Sequence, residues 1–203
     1  MQSKIIMNKY VKNILLVLAQ ATEEEVVQGI GWYFEARRQA QLIADEFELP
    51  LSIVVGVIAA LSPSNKWQRN VVDAREMCQV FVGGGYVEEC LPSTYKAMRD
   101  KAWSILVQGD RSDAAILATL KGPKISDFYS CILGKDVCVI DGHAWCIANG
   151  DRRSLQEVPF IGVKLRTQIQ KAYSDAGKYD GANLSAYEIQ AITWLTWKRI
   201  HNV

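Results

Sequence analysis

The chain has 203 residues, 49% of them hydrophobic and 22% charged, with a formal net charge of +1. That length can bury a core as one large or two small units, and that composition excludes disorder. The near-neutral balance excludes a broadly basic nucleic-acid binder, so any DNA contact must come from a local patch.

Apolar positions at helical spacing predict a first helix over 4–19. MQSKIIMNKY followed by ILLVLA resembles a signal peptide only superficially, because no small-residue cleavage site precedes TEEE. Thr22 and the acids Glu23, Glu24 and Glu25 form a strong helix start, a capping hydroxyl with carboxylates at the positive end of the dipole. That helix should run to about Glu46. Pro50 then opens LSIVVGVIAAL, whose nearly all-apolar character predicts a buried central helix. The turn residues of SPSNKW (62–67) break it, and a further helix over about 66–82 ends at the glycines of 83–85. Ser93 is expected to cap a helix to about Gln108, and Ser112 another to about Leu120.

The most informative stretch, 120–150, reads LKGPKISDFYSCILGKDVCVIDGHAWCIANG. It places a lysine-bearing tight turn at 121–124, a helix ISDFYSCIL and a short extended run at 137–140. Asp141 then caps a helix GHAWCIAN that is closed by Gly150. Residues 151–163 look irregular, and helices follow over about 163–176 and 185–200, with Tyr187, Trp194 and Trp197 as core aromatics. There is no internal repeat or long linker, and helical patterns over nearly the whole length predict an all-α fold class.

Cys78, Cys90, Cys131, Cys138 and Cys146 follow neither a disulfide framework nor a zinc-ribbon spacing. Packed thiols in a reducing, cytoplasmic setting are expected. His143 and Cys146 lie three apart on one helix without a second ligand pair, so no metal is expected there. No apolar run reaches the roughly 18 residues that suggest a membrane span, and no membrane partner is expected.

Two residues carry candidate chemistry. A carboxylate at an N-cap, as for Asp141, serves the helix, and the same geometry suits a group that stabilises a cation or activates water. Lys124 is either a solvated charge after a turn or a nucleophile, which must shed its proton at a cost of about 4 kcal/mol of environment. Phe128, Tyr129 and Trp145 are expected to line the apolar mouth that would supply it.

Three segments resemble the helix-hairpin-helix DNA glycosylases, the family that includes endonuclease III and 8-oxoguanine glycosylase. ALSPSNKWQRNVVDA (60–74) is similar to the family's loop and helix near the extruded base. LKGPKISDFYSCILG (120–134) stands at its hairpin and lysine-bearing helix. VCVIDGHAWCIANGD (137–151) resembles its motif of a valine, the catalytic aspartate, any residue, then histidine. The resemblance implies a two-lobed helical bundle with the active cleft between the lobes. One lobe would be about 1–48 plus 155–203, and the other about 50–152.

It implies Asp141 as catalytic aspartate and Lys124 as the Schiff-base lysine of a bifunctional member. Ser64 and Asn65 would fill the gap left by a flipped base. Lys121, Gly122, His143, Trp145 and Arg152 would contact substrate or DNA, with Lys135 and Arg153 adding to the basic rim. The implied reaction is N-glycosidic cleavage of a damaged or modified base in double-stranded DNA, by a monomer without cofactor. The hairpin departs from the family pattern: Leu120 and Pro123 replace residues around the one remaining glycine, Gly122, so fewer backbone N–H groups are available to a phosphate. The four-cysteine cluster of some members is absent, and no iron–sulfur centre is implied. Two alternatives stay open: the same fold acting on hypermodified pyrimidines or nucleotides, and a non-catalytic helical module that binds nucleic acid or protein.

Overall fold

The computed structural model describes residues 8–181 and 183–203, and among them every regular element is helical. The part of the expected first helix at 4–7 lies outside the described residues. The chain divides into two compact units, one of Met1–Tyr33 with Lys135–Val203 and one of Phe34–Gly134.

The first unit holds α1 (Lys9–Leu18), the start of α2 (Glu23–Glu46), α8 (Gly142–Asn149), α9 (Val163–Gly177) and α10 (Ala186–His201). Val11, Ile14 and Val17 form a stripe on α1 that meets Ile147, Ile169, Tyr173 and Ile189 in one core. Burying each such side chain contributes about 1.5–3 kcal/mol. Asn13 Nδ2 donates to Ala148 O at 2.9 Å and so pins α1 to the end of α8. The predicted start of α2 is a reciprocal capping box, with Glu25 N donating to Thr22 Oγ1 (3.2 Å) and Thr22 N to Glu25 Oε2 (2.9 Å). Arg199 of α10 grips the same carboxylate at 2.6 Å. A Cβ on Gly29 would sit 2.7 Å from the backbone of Ile192, so glycine is what lets α2 and α10 approach.

The second unit holds the rest of α2, then α3 (Leu51–Leu61), α4 (Trp67–Val82), α5 (Lys96–Val107), α6 (Asp113–Leu120) and α7 (Pro123–Ile132). As its composition requires, α3 is the centre, with every residue from Ile53 to Leu61 buried. Gly56 leaves room for Ile105 of α5 and Ile116 of α6 against it. After α4 the chain turns through Gly84 at φ +76°, and a 3₁₀ turn follows at Val87–Glu89.

One expectation differs from what is found. Ser93 does not cap α5, which begins at Lys96 with Tyr95 at its N-cap; Ser93 lies in the preceding loop, where its N–H donates to the Asp73 carboxylate at 2.8 Å. The run 137–140 lies outside the regular elements, and side chains of α9 donate to its Cys138 and Ile140 carbonyls. The two units divide inside α2 and after Gly134, and the 137–150 segment packs with α1 and α9.

Candidate functional site

Asp141, His143, Trp145 and Arg152 belong to the first unit. Asp141 is the N-cap of α8: its Oδ1 accepts from Ala144 N at 2.9 Å and its carbonyl from Trp145 N at 2.9 Å. Gly150 closes the helix in the left-handed region at φ 64°. Both signals were legible because each satisfies orphan backbone groups at one end of the same eight-residue helix. Asp141 is half-buried, and among the described residues no other side chain pairs with it, so Oδ2 is open to an external partner. His143 is half-buried on the first turn of the same helix, also without a side-chain partner among the described residues. Leu155 and Val158, from the loop after α8, lie over Gly142, where a Cβ would fall 2.6 Å from Leu155 Cδ2.

Trp145 is packed into the core at 7% exposure, since residues 144–148 all face inward, and Arg153 covers its ring at 5.2 Å. Arg152 is exposed and donates to the His201 carbonyl at 3.2 Å. Burial, and then the Arg152 charge, lower the pKa of His201 below 6.5. Cys138 and Cys146 are both buried, and burial raises the Cys146 thiol above its usual value. Among the described residues no group of three or more His, Cys, Asp or Glu side chains is arranged to hold a metal.

Ser64, Asn65, Lys121, Gly122 and Lys124 belong to the second unit. The hairpin between α6 and α7 is tighter than a simple turn. Gly122 N donates to Leu120 O at 2.7 Å, across Lys121 at φ 57°, ψ −31°, a strained three-residue turn for a residue with a side chain. Lys101 Nζ also donates to Leu120 O, at 2.5 Å, and its pKa is lowered by burial and then by Lys121. Pro123 is the first residue of α7, where its fixed φ suits the helix, and no side chain caps that end. Pro123 has no N–H and Ser126 N donates to Gly122 O at 2.9 Å, which leaves the N–H groups of Lys124 and Ile125 in that turn. Lys124 is exposed on that turn. The three aromatic side chains expected at the apolar mouth have these surroundings within their own units. Tyr129 is fully buried with its hydroxyl donated to Asp113 at 2.6 Å, Phe128 stands edge-on to Trp67, and Trp145 lies in the core of the other unit.

Ser64 is exposed at φ 56°, and its hydroxyl lies 2.8 Å from that of Tyr95. Beneath it, Asp73 Oδ2 accepts from Asn65 Nδ2 and from Ser93 N, both at 2.8 Å, while Thr94 Oγ1 donates to Pro63 O at 2.6 Å. Arg69 Nε lies 2.7 Å from Asp73 Oδ1, an ion-pair contact too oblique to count as a hydrogen bond. One buried carboxylate therefore locks the 62–66 and 91–95 loops together. Asp73, Thr94 and Tyr95 were missed in the sequence. Asp73 carried a signal, since it shares the inward stripe of α4 with Asn70, Ala74 and Met77, where a charge is unexpected.

No curated protein and no solved structure matches the chain. Residues 1–201 match a family model described as a family of unknown function, DUF7178. The chain belongs to that family.

Proposed function

We propose that the protein is a base-excising N-glycosylase that acts on DNA from which the target nucleotide has been extruded. The observation that carries this reading is Asp141: a half-buried carboxylate fixed at a helix N-cap by one oxygen, with the other open, inside the sequence VIDGHAWCIANG. When the bond from C1′ to the base nitrogen breaks, the base leaves with the electron pair and the sugar acquires oxocarbenium character. A pre-oriented carboxylate stabilises that charge without reorganising. Water then adds to C1′ and gives up a proton. In a bifunctional reaction the Lys124 amine adds instead, and the opened sugar forms a Schiff base.

The uncapped start of α7 and the braced Ser64 loop support a phosphate contact and a gap-filling contact, respectively. One observation favours a second substrate class, hypermodified pyrimidines or nucleotides. Pro123 removes an N–H and Lys121 occupies the turn, so the hairpin offers a phosphate little backbone.

The test is a panel of duplexes with damaged and hypermodified bases, together with free nucleotides, assayed for base release and for borohydride trapping. Expected are base release lost in Asp141→Asn and, for a lyase, a trapped adduct lost in Lys124→Gln. No product from any substrate, with duplex binding unchanged in both variants, would replace the enzyme by a binding module.

A further inference from the structure

Among the described residues no strand lies beside the segment leading to Asp141, yet its alternate carbonyls are held. Gln170 Nε2 donates to Cys138 O at 3.0 Å, and Arg166 Nη1 donates to Ile140 O at 3.1 Å. The two donors are four apart on α9 and the two acceptors two apart on the segment, in reverse order. Four residues of helix rise about 6 Å and two residues of extended chain span about 6.6 Å, so one helix face can grip every second carbonyl of a segment running the opposite way. α9 thereby does with side chains what a neighbouring strand does with its backbone.

The last carbonyl gripped belongs to the peptide that joins Ile140 to Asp141. That peptide is planar, so holding its oxygen also fixes the amide nitrogen from which Asp141 continues. On its other side Asp141 is held by Ala144 N and Trp145 N. A neutral glutamine is sufficient for the Cys138 carbonyl. At Ile140 the donor is a guanidinium, whose charge strengthens the bond it makes to the carbonyl. We propose that Arg166, seconded by Gln170, is the positioning residue for the Asp141 carboxylate. This rests on the glycosylase reading only for its catalytic consequence, since the positioning itself is a property of the fold.

The experiment uses the full chain with Arg166→Met, which keeps length and removes every donor, and Arg166→Lys, which keeps the charge and loses the fork. Hydrogen exchange at the Ala144 amide reads the Asp141 cap directly. Faster exchange at Ala144 in Arg166→Met, with a cooperative melt retained, is expected. On whichever substrate the wild type cleaves, single-turnover base release should fall about 100-fold in Arg166→Met, the scale of a 1 Å misplacement. DNA affinity should move by less than about threefold, Arg166→Lys should lie between, and adding Arg166→Met to Asp141→Asn should cost nothing more. Should Arg166→Met lose its cooperative melt, Arg166→Lys and Gln170→Met carry the same measurements. Wild-type exchange at Ala144, or an equal loss in the Asp141→Asn background, overturns the assignment. If the wild type releases no base from any substrate, the glycosylase reading fails, and Ala144 exchange alone still decides the positioning.

Discussion

Replacing Glu25 by Gln removes the anionic half of the clamp that ties the start of α2 to the end of α10. In the folded chain this carboxylate takes Arg199 Nε at 2.6 Å, the Thr22 N–H at 2.9 Å and the Thr196 hydroxyl at 3.2 Å. Its pKa falls from 4.5 to about 2, first through the Arg199 hydrogen bond, with burial opposing and the Thr22 and Thr196 bonds assisting. At about 1.4 kcal/mol per pH unit the ionised form is favoured in the fold by about 3 kcal/mol. The Arg199 side chain is 47% exposed, so solvent screening trims the contribution to about 1–2 kcal/mol. A carboxyl whose folded pKa lies below its unfolded one contributes stability that is complete above about pH 4.5 and lost as the pH falls through about 2. Urea unfolding of the wild type and Glu25→Gln, from pH 7 down to about 2, should show a gap of that size that closes between those limits. A gap that stays constant across the range would refute the electrostatic account and leave only a packing role.

Gly29→Ala should destabilise the first unit by about 1–3 kcal/mol, because the new methyl meets the Ile192 backbone at 2.7 Å, and a thermal melt measures it. Asp141→Ala should cost about 1 kcal/mol through loss of the α8 cap, whereas Asp141→Asn, an equally good cap, should melt within about 0.5 kcal/mol of wild type while losing base release. Melts of the two variants beside the base-release assay separate the capping role from the chemical one.

Which features the sequence disclosed follows from where their physics acts. The Asp141 and Gly150 ends of α8, the Thr22–Glu25 start of α2 and the all-apolar α3 depend on residues within a few positions of one another, and all three were legible. Ser93 looked like a cap because nothing nearby in sequence shows that its loop is tied to Asp73, 20 residues earlier, and that α5 starts only at Lys96. Tyr129 looked like part of an apolar mouth for the same reason, since its partner Asp113 lies on the preceding helix. The support of 137–140 by Arg166 and Gln170 was hidden too, because helix side chains serving extended carbonyls leave no periodic mark.

The two units also differ in how far along the chain their contacts reach. Every contact within Phe34–Gly134 closes over at most that stretch, so this unit can collapse as soon as it emerges during synthesis. The other unit joins Asn13 to Ala148 across 135 positions and Gln20 to Arg199 across 179. Until the last helices are made, Val11, Ile14 and Val17 on α1 have no core to enter. The nascent chain therefore carries an exposed apolar stripe through most of its synthesis, and formation of the unit that holds Asp141 waits on the closure of a long loop.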